Sequence, residues 1–568
     1  MQTNKNRKRL GEILIESGLI RQEQLDAALM LQKSTKKRLG DVLIDEGFIK
    51  ENDMIYALSR QTGVEIFNLD SEIIDPNVAK LINEDLARMH TMIPAKITDD
   101  NKLMVVMADP LNLLAIDDIQ FYTGMEVIPT ISSRGKILHA IDVYYGKQYS
   151  EKIADEVRQE ISEKNELEDT EDDSTSDAPT VRLVSSIISQ ASILGASDIH
   201  IEPFEDIVRV RYRIDGELQE VLQSPISVHA ALVSRIKILG KMDIAEHRIP
   251  QDGRVESHVK NKKIDLRIST LPTIYGEKIV IRLLDQSNIQ LTKEQLGFSP
   301  EQFEIFEDTL RQPNGIFLVT GPTGSGKTTT LYTTLSSVNT PNKNIITVED
   351  PVEYKLRGIN QVHVNAKAGL TFAAGLRSIL RQDPDIIMVG EIRDNETAEI
   401  AVRAAITGHL VLSTIHTNDA ASAISRLEDM GVEPWLISSA LIGVLAQRLV
   451  RRICPNCKEE YHPTVSDCKF LNLDPESDEA KNMILYRGKG CTNCNHSGYK
   501  GRAAIHEILP IYKDIKSMIM KDATSDEIAD FARKEHGVQS LWDDCMRLVM
   551  SGVTTVDEMV KVAFSMNG

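Results

Sequence analysis

The chain has 568 residues, which is too long for one hydrophobic core and predicts three or four domains. Its hydrophobic content of 42% and aromatic content of 5% are typical of a globular protein in water. The net charge of −19 argues against a nucleic-acid groove as the main function, because neutralising phosphates needs clustered lysine and arginine.

Neither a secretion signal nor a membrane span is expected. Glu12 and Glu16 interrupt what would be the apolar core of an amino-terminal signal. The longest apolar run near the C-terminal half, residues 435–446, is too short to cross a bilayer. We therefore expect a soluble, cytoplasmic protein that meets a membrane only through partners.

The amino terminus carries one short motif twice. The copies are RLGEILIESGLIRQEQLDAALMLQ, which starts at Arg9, and RLGDVLIDEGFIKENDMIYALSRQ, which starts at Arg38. In each copy apolar residues recur at helical spacing, and Gly18 or Gly47 stands where a first helix would end. The pattern predicts a helical hairpin for each copy and a tandem helical domain over residues 1–62.

Three further segments lie between the tandem motif and residue 293. Residues 63–147 mix strand and helix patterns, and residues 102–110 predict a short buried strand followed by a turn. Residues 151–177 contain twelve acidic and three basic side chains, which predicts a helix fading into a solvated tether, the acidic linker 148–179. Residues 180–292 begin with a helix and continue with alternating strands, which predicts an antiparallel sheet covered by helices on one face.

Residues 293–568 alternate strands and helices, which predicts a mostly parallel, doubly wound sheet. Their stretch GIFLVTGPTGSGKTTTLY matches the phosphate-loop pattern GxxxxGK[ST] between a strand and a helix start. Glycines let backbone N–H groups curl around phosphates, Lys327 reaches the β- and γ-phosphates, and Thr328 binds Mg²⁺. The predicted ATP site comprises Gly321, Pro322, Thr323, Gly324, Ser325, Gly326, Lys327, Thr328 and Thr329.

Two further strands of this domain end in acids. The stretch DPDIIMVGEIRD puts Glu391 at a strand tip, where a carboxylate can orient the attacking water or hold Mg²⁺ through water. The stretch ITVEDPVEY ends another strand, and its acids fit the same metal-water role or simply form a polar turn. These acids are Glu349, Asp350 and Glu353.

Two histidines lie at the two ends of one predicted strand, in GHLVLSTIHTNDA. A single histidine in such a place is usually structural. A pair followed by Thr417 and Asn418 favours a sensor of the γ-phosphate, with His416 the stronger candidate and His409 the weaker.

Four of the six cysteines form two CxxC pairs. Thiolates in that pattern suit tetrahedral zinc, and a site closed by four cysteines is structural. The 33 residues between the pairs exceed the commonest spacing and indicate a looped insertion at about 450–500. The predicted ligands are Cys454, Cys457, Cys491 and Cys494; Cys468 and Cys545 are expected to be ordinary packed residues.

The phosphate loop, the two acidic segments and the histidine segment resemble those of the secretion ATPase superfamily. Its members drive type II secretion, type IV pilus extension and type IV pilus retraction. The stretch LRQDPDIIMVGEIRD is close to the family signature, and the resemblance extends from about Thr180 to the end. It implies a RecA-like ATPase domain with a parallel sheet, a PAS-like α+β domain before it, and a helical and α+β amino-terminal domain.

The resemblance also implies a homohexamer whose ATP sites are completed by a neighbouring small domain. Arginines of that domain contact phosphate in the family, and Arg267 in DLRIST and Arg282 in IVIRLL match in context. Arg282 also stands in an apolar run, where an unpaired charge would be costly and would need an anionic partner. An ion pair inside the protein is the alternative for this residue.

The tandem motif resembles the MshEN-type domain of several pilus and secretion ATPases, in some of which such a motif binds cyclic di-GMP. Arginine can stack on guanine, exposed glycine backbone lets a ligand approach, and apolar residues cover it. The alternative is a helical docking module for an inner-membrane partner. The candidate ligand-binding residues are Arg9, Leu10, Gly11, Arg38, Leu39 and Gly40.

These features favour a motor ATPase for type IV pilus extension, peripheral at the inner membrane. The resemblance implies a platform protein of that membrane and cytoplasmic alignment-complex proteins as partners, pilin indirectly, and no nucleic acid. A type II secretion ATPase is the close alternative. A nucleic-acid translocase is disfavoured by the acidic charge, and a scaffold without hydrolysis by the intact Lys327, Thr328 and Glu391.

Overall fold

The computed structural model describes residues 10–35, 39–69, 72, 74–164, 179–259, 262–285, 291–471 and 473–566. The chain divides into two compact units, Met1–Asp285 with Gly490–His496, and Gln286–Lys489 with Ser497–Gly568. In the part of the chain described, no helix combines the length and apolarity needed to cross a membrane.

The tandem motif forms four short helices. They are α1 (Leu10–Glu16), α2 (Gln22–Thr35), α3 (Leu39–Asp45) and α4 (Glu51–Thr62). Gly18 and Gly47 follow α1 and α3 with φ values of +69° and +70°, a left-handed backbone that glycine adopts without strain. This confirms the predicted hairpins. Because α1 packs against α4 and α2 against α3, the two copies share one apolar core.

A small α/β region follows. Its elements are α5 (Pro76–Ala79), α6 (Glu84–His90), β1 (Met92–Ile97), β2 (Leu103–Met107), α7 (Leu113–Thr123), β3 (Val127–Ile131) and α8 (Arg134–Lys164). The sheet has the order β1-β2-β3, with β2 antiparallel to β1 and parallel to β3. The predicted buried strand is β2, where Leu103, Val105 and Val106 are fully buried.

The acidic segment begins as the second half of α8. Ile153, Ala154 and Val157 of this half are buried in the core of the next region, and the backbone is helical as far as Lys164. Of the linker predicted over residues 148–179, residues 165–178 lie outside the described residues.

The antiparallel sheet of the first unit has six strands in the order β6-β5-β4-β9-β8-β7. Alternate residues, such as Val208, Val210 and Tyr212, face a core shared with helices, while the residues between them form an opposite, charged face. The prediction of a sheet covered on one face is confirmed. The elements are α9 (Pro179–Ile193), β4 (Asp198–Pro203), β5 (Ile207–Ile214), β6 (Glu217–Pro225), α10 (His229–Leu239), β7 (Gln251–Val259), β8 (Lys262–Thr273) and β9 (Gly276–Asp285).

The second unit contains the RecA-like sheet, with seven strands in the order β12-β11-β13-β14-β10-β15-β18, in which β15 spans Leu441–Ile453 and β18 spans Tyr499–Pro510. All neighbours are parallel except β15 and β18. The elements of its first half are α11 (Pro300–Leu310), β10 (Gly315–Thr320), α12 (Lys327–Val338), β11 (Ile345–Glu349), β12 (Asn360–His363), α13 (Phe372–Ile379), β13 (Ile386–Val389), α14 (Asn395–Ile406) and β14 (Leu410–Ile415).

Helices cover both faces of this sheet. Along β10, Ile316 and Leu318 belong to one buried cluster, and Phe317 and Val319 belong to another. The remaining elements are α15 (Ser422–Asp429), α16 (Pro434–Ala440), β15 (Leu441–Ile453), β16 (Lys458–Tyr461), α17 (Val465–Phe470), α18 (Asp478–Asn482), β17 (Leu485–Gly488), β18 (Tyr499–Pro510), α19 (Lys513–Ile519), α20 (Ser525–His536), α21 (Leu541–Met550) and α22 (Val556–Met566).

Candidate active site

The phosphate loop lies between β10 and α12, at the carboxyl edge of the parallel strands. Its glycines Gly321, Gly324 and Gly326 have φ values of +141°, +81° and +91°, which residues with a Cβ atom rarely adopt. The loop therefore curls tightly before the amino terminus of α12. A curled backbone that leads into a helix amino terminus is a typical phosphate-binding arrangement.

Lys327 is the first residue of α12, and its ammonium group folds back over the loop. Nζ donates to the carbonyl oxygens of Gly321 at 2.7 Å and Pro322 at 2.9 Å. Burial lowers the pKa of Lys327 to about 8, although the negative charge of Glu391 opposes the shift. A phosphate at the loop would restore the ordinary preference for the charged form, since it brings negative charge next to Nζ.

The strand order brings Glu391 and His416 to the same edge as Lys327. Strands β13, β14 and β10 are consecutive, parallel neighbours, so the residues that follow them meet. Glu391 Oε2 lies 3.6 Å from His416 Nε2 and 2.7 Å from Nε of Arg393. The structure thus gathers three predicted catalytic residues and adds Arg393, which the sequence analysis missed although it stands in the stretch GEIRD.

His416 is half-exposed, and its pKa is lowered from the ordinary value of 6.5. Burial is the main cause, and the positive charge of Lys327 adds to it, while Glu391 opposes it. The imidazole is therefore neutral at pH 7. A neutral imidazole can both donate and accept a hydrogen bond beside a phosphate and a water molecule.

Side-chain hydroxyls fix the three strand ends to one another. The Oγ1 atoms of Thr320 and Thr417 lie 2.8 Å apart, and the N–H of Thr417 donates to Thr320 Oγ1 at 2.8 Å. Thr414 Oγ1 donates to the carbonyl of Gly390 at 2.8 Å. These contacts join β10 to β14 and β14 to β13, so the side chains predicted to be catalytic start from a rigid base.

Glu349 lies in the interior, with 3% of its surface exposed. Its carboxylate accepts hydrogen bonds from the hydroxyl of Tyr332, from Thr347 Oγ1 at 2.6 Å and from Gln361 Nε2 at 3.1 Å. Tyr332 belongs to α12, so this carboxylate anchors the phosphate-loop helix to β11. The predicted role of Glu349 in holding metal water is therefore corrected, because its oxygens are engaged inside the protein.

The other residues predicted near Mg²⁺ lie closer to the surface. Thr328 is exposed in the first turn of α12, and Thr329 is half-buried. Asp350 is exposed after β11, and Glu353 is half-buried. Hydroxyl and carboxylate oxygens are donors that Mg²⁺ prefers, so these side chains have the chemistry that suits the ion, and their assignment stays a prediction.

His409 lies at the wrong end of β14 for the predicted contact with ATP. It precedes the strand, and its carbonyl accepts from the N–H of Gly315, the first residue of β10. Its Nδ1 lies 2.9 Å from the carbonyl oxygen of Ala404. The phosphate loop follows the far end of β10, about 17–20 Å away for a strand of this length. His409 is thus a structural residue, and its predicted role is wrong.

The predicted phosphate-contacting arginines lie on the charged face of the six-stranded sheet. Cross-strand pairing sets one charged row across five strands, composed of Arg213, Asp198, Arg282, Arg267 and Arg254. Arg282 is 56% exposed, with its Nε 3.1 Å from Asp198. Arg267 is 20% exposed, with its Nε 3.8 Å from Asp265.

The sequence analysis expected Arg282 to be buried among apolar residues and therefore to need an anionic partner. The expectation that Arg282 is buried is wrong. Ile281 and Leu283 point to the core, while Arg282 between them points to the open face. The row nevertheless presents four guanidinium groups with few acids, which suits an anion. The assignment of Arg267 and Arg282 to phosphate stays a prediction.

The four cysteines predicted to bind zinc come together, and all four sulfur atoms lie within 4.8 Å of one another. Two of them, Cys491 Sγ and Cys494 Sγ, are 3.7 Å apart. Tetrahedral zinc with Zn–S bonds of about 2.3 Å would place its sulfurs about 3.8 Å apart, so the site fits this metal. Cys468 and Cys545 are buried away from the cluster, as expected.

Of the residues predicted to bind cyclic di-GMP, Arg9 and Arg38 lie outside the described residues. Leu10, Leu39 and Gly40 are half-buried. Gly11 is buried, and a Cβ atom there would lie 2.8 Å from Leu25, so its role is to let α1 and α2 approach. The interpretation that its backbone is exposed to a ligand is wrong.

Comparison with known families and proteins gives two family matches. The model described as "Type II/IV secretion system protein" matches residues 173–561. The model described as "MshEN domain" matches residues 62–151, which form the α/β region. The sequence analysis had attached the MshEN resemblance to residues 1–62 instead.

Similar proteins and structures agree with the first family match. The chain is 43% identical over 558 residues to the type IV pilus assembly ATPase PilB of Myxococcus xanthus, covering 97% of this chain and 98% of the relative. It is 50% identical over 403 residues to the type II secretion system protein E of Pseudomonas aeruginosa, covering 71% and 78%. The ATPase DotB of Legionella pneumophila has a similar fold, with a TM-score of 0.50 and 20% identity over 67% of this chain and 95% of that one.

Proposed function

The chain belongs to the type II/IV secretion system protein family and is an ATPase, and we propose that its work is type IV pilus assembly. The extent of the match to the pilus assembly relative carries this proposal, because that match includes the amino-terminal region as well as the motor. The type II secretion relative is more identical where it matches but shares only 71% of this chain. Type II secretion is therefore the second candidate.

The residues at the phosphate loop divide the hydrolysis step among them. The loop and Lys327 would hold the β- and γ-phosphates, and Thr328 would hold the Mg²⁺ that neutralises them. Glu391, next to the loop and 14% exposed, would orient and deprotonate the attacking water. Neutral His416 would hydrogen-bond the γ-phosphate and report its presence to Glu391, 3.6 Å away.

We propose that the protein acts as a homohexamer, in which the charged row of the first unit meets the nucleotide of a neighbouring copy. Arg267 and Arg282 would then stabilise the charge that develops on the γ-phosphate, as arginines supplied from another subunit do. Each cycle of binding and hydrolysis would close and open adjacent copies. That motion would turn an inner-membrane platform protein, aided by cytoplasmic alignment proteins, and add pilin subunits.

We further propose that the tandem helices bind cyclic di-GMP and so regulate the motor. The crossed packing of α1 with α4 and α2 with α3 supports this, since two equivalent copies present a two-fold surface that matches a two-fold ligand. Calorimetry on the full chain would test it. Binding lost in Arg9→Ala with Arg38→Ala supports the proposal, and absence of binding to the folded wild-type chain refutes it.

The pilus proposal is tested by counting surface pili in a strain without this gene, complemented with wild type or Lys327→Ala. Loss of pili that only wild type restores is the expected result. Normal pili in a deletion strain that has no second copy of the gene would contradict the proposal. The culture supernatant should then be examined for proteins whose export has stopped.

A further inference from the structure

Gln447 of β15 occupies the space directly behind the phosphate loop. It is 3% exposed, so its amide must find its hydrogen-bond partners inside the protein. Its Nε2 donates to the carbonyl of Ser325 in the loop at 2.9 Å, and its Oε1 accepts from Thr330 Oγ1 at 2.7 Å. Thr330 belongs to the first turn of α12. One side chain therefore joins the loop, the helix that follows it and a strand of the sheet.

Two glycines of the loop lie so close to Gln447 that a side chain at either position would clash with it. A Cβ atom on Gly321 would lie 2.3 Å from the carbonyl oxygen of Gln447, and one on Gly326 would lie 2.8 Å from its Nε2. Two of the three loop glycines thus allow β15 to approach. The contact is part of how the loop is built, and not an accidental neighbour of it.

The hydrogen bond to Ser325 has a consequence for the next residue. A trans peptide group is planar, so its C=O and N–H point in opposite directions. Holding the carbonyl of Ser325 toward β15 turns the N–H of Gly326 away from β15. The amides at the end of such a loop are the groups that bind phosphate, and Lys327 follows immediately.

We propose that Gln447 is a positioning residue for ATP, which it serves by holding the Ser325–Gly326 peptide in the orientation that binds phosphate. It acts through the loop, because its amide hydrogen-bonds Ser325 and Thr330. Thr330 fixes the direction of the amide, because its hydroxyl donates to Oε1 and leaves Nε2 for the loop. The proposal rests on the ATPase activity of this loop and is independent of which machine the motor drives.

The test compares four full-length variants with wild type. Gln447→Met removes both hydrogen bonds at similar volume, Thr330→Val removes the hydroxyl that orients the amide, and Thr330→Ser retains it. Thr334→Val is the matched control, because Thr334 is equally buried on α12 but donates only to Thr330 O of its own helix, at 2.8 Å. The measurements are KM for ATP, kcat, the Kd for ADP and the melting temperature without nucleotide.

Gln447→Met is expected to raise both KM for ATP and Kd for ADP about tenfold, the effect of losing the one buried hydrogen bond that holds the loop, from Gln447 to Ser325. The change in kcat is expected to stay within about twofold, since the loop binds phosphate in both ground state and transition state. Thr330→Val should shift affinity in the same direction by a smaller factor. Thr330→Ser and Thr334→Val should retain wild-type affinity.

A purely structural glutamine would give a different pattern. If Gln447→Met lowers the melting temperature but the folded protein binds ADP within about twofold of wild type, the proposal is overturned. If that variant does not fold, the two substitutions at Thr330 decide. Equal ADP affinity of Thr330→Val and Thr330→Ser would then overturn it, and weaker binding by the valine variant alone would support it.

Discussion

His416 Nε2 lies 3.6 Å from the Glu391 carboxylate, at the ends of two adjacent parallel strands. The sheet thereby holds the proposed general base and the proposed phosphate sensor within reach of each other. Thr414 of one strand also donates to the carbonyl of Gly390 in the other. This hydrogen bond between the strand ends helps to fix the distance between Glu391 and His416. The arrangement makes two separate predictions, one for each residue.

Glu391→Gln is expected to lower kcat for ATP hydrolysis about a hundredfold or more while ATP still binds. The amide retains the size of the side chain but cannot accept a proton from water. Phosphate release and binding of a fluorescent ATP analogue measure the two effects separately. Glu396→Gln is the control, because Glu396 is an exposed acid of α14 that pairs with Arg377 on the surface, and it should hydrolyse at the wild-type rate. Wild-type turnover by Glu391→Gln would remove Glu391 from the mechanism.

His416 should produce an acid limb in the pH profile of kcat/KM. Because burial and Lys327 lower its pKa below 6.5, the residue is neutral at pH 7 and gains a proton only under more acidic conditions. The charged imidazole would pair with Glu391 and withdraw it from water, so activity should fall as pH drops through that pKa. His416→Gln cannot titrate, and its profile should lack this limb. An unchanged acid limb in His416→Gln would assign it to another group.

Lys327 should limit the same profile on the basic side. In the protein without nucleotide its pKa is about 8, so kcat/KM should decline as pH rises past that value and the ammonium is lost. Bound phosphates favour the charged form, so kcat, which reports the complex, should stay level to higher pH. Measuring kcat/KM and kcat over the same pH range tests whether bound nucleotide protects the charge of Lys327. Coincident basic limbs would indicate that the nucleotide does not protect this lysine.

Much of this site was predictable from sequence because it depends on short local patterns. The loop, Glu391 and His416 each follow a strand, and parallel neighbours bring such residues to one edge. His409 was mispredicted because it precedes its strand, whereas the carboxyl ends of parallel strands meet the ligand. Strand direction decides this, and the structure puts His409 beside Gly315.

Other features depend on contacts between distant segments, and no local pattern carries them. Glu349 looked like a strand-tip acid, but Tyr332, seventeen residues earlier, takes up its carboxylate. Gln447 meets Ser325 across 122 residues. Arg282 was misjudged because IVIRLL reads as a continuous apolar run, whereas alternation puts the arginine on the open face.

The cysteine cluster should hold one zinc ion per chain, because four thiolates at these separations satisfy a tetrahedral metal. Metal analysis of the purified protein should find zinc in wild type and none in Cys491→Ser. Cys468→Ala is the matched control, since Cys468 is also buried but stands outside the cluster. We expect Cys491→Ser to melt at a lower temperature. Zinc-free wild type, purified without chelator, would contradict the assignment.

Arg282 and Lys327 should act on the same ATP from different copies of the chain. Arg282→Ala and Lys327→Ala are each expected to lower hydrolysis at least about a hundredfold, the first by removing a transition-state cation and the second by removing a phosphate contact. Rings mixed from the two variants would contain interfaces where an intact Arg282 meets an intact Lys327. Activity should therefore return in the mixture although each component is inactive.

The size of the recovery tests the contact between copies directly. Equal mixing makes about a quarter of the interfaces fully competent if copies assort at random, so recovery near that fraction of the wild-type rate is expected. Arg209→Ala is a control on the same charged face, because Arg209 is 29% exposed and pairs with Glu202 at 3.4 Å, away from the row that contains Arg282. It should hydrolyse ATP alone at the wild-type rate. A mixture as inactive as its components would mean that Arg282 serves the nucleotide of its own chain or none.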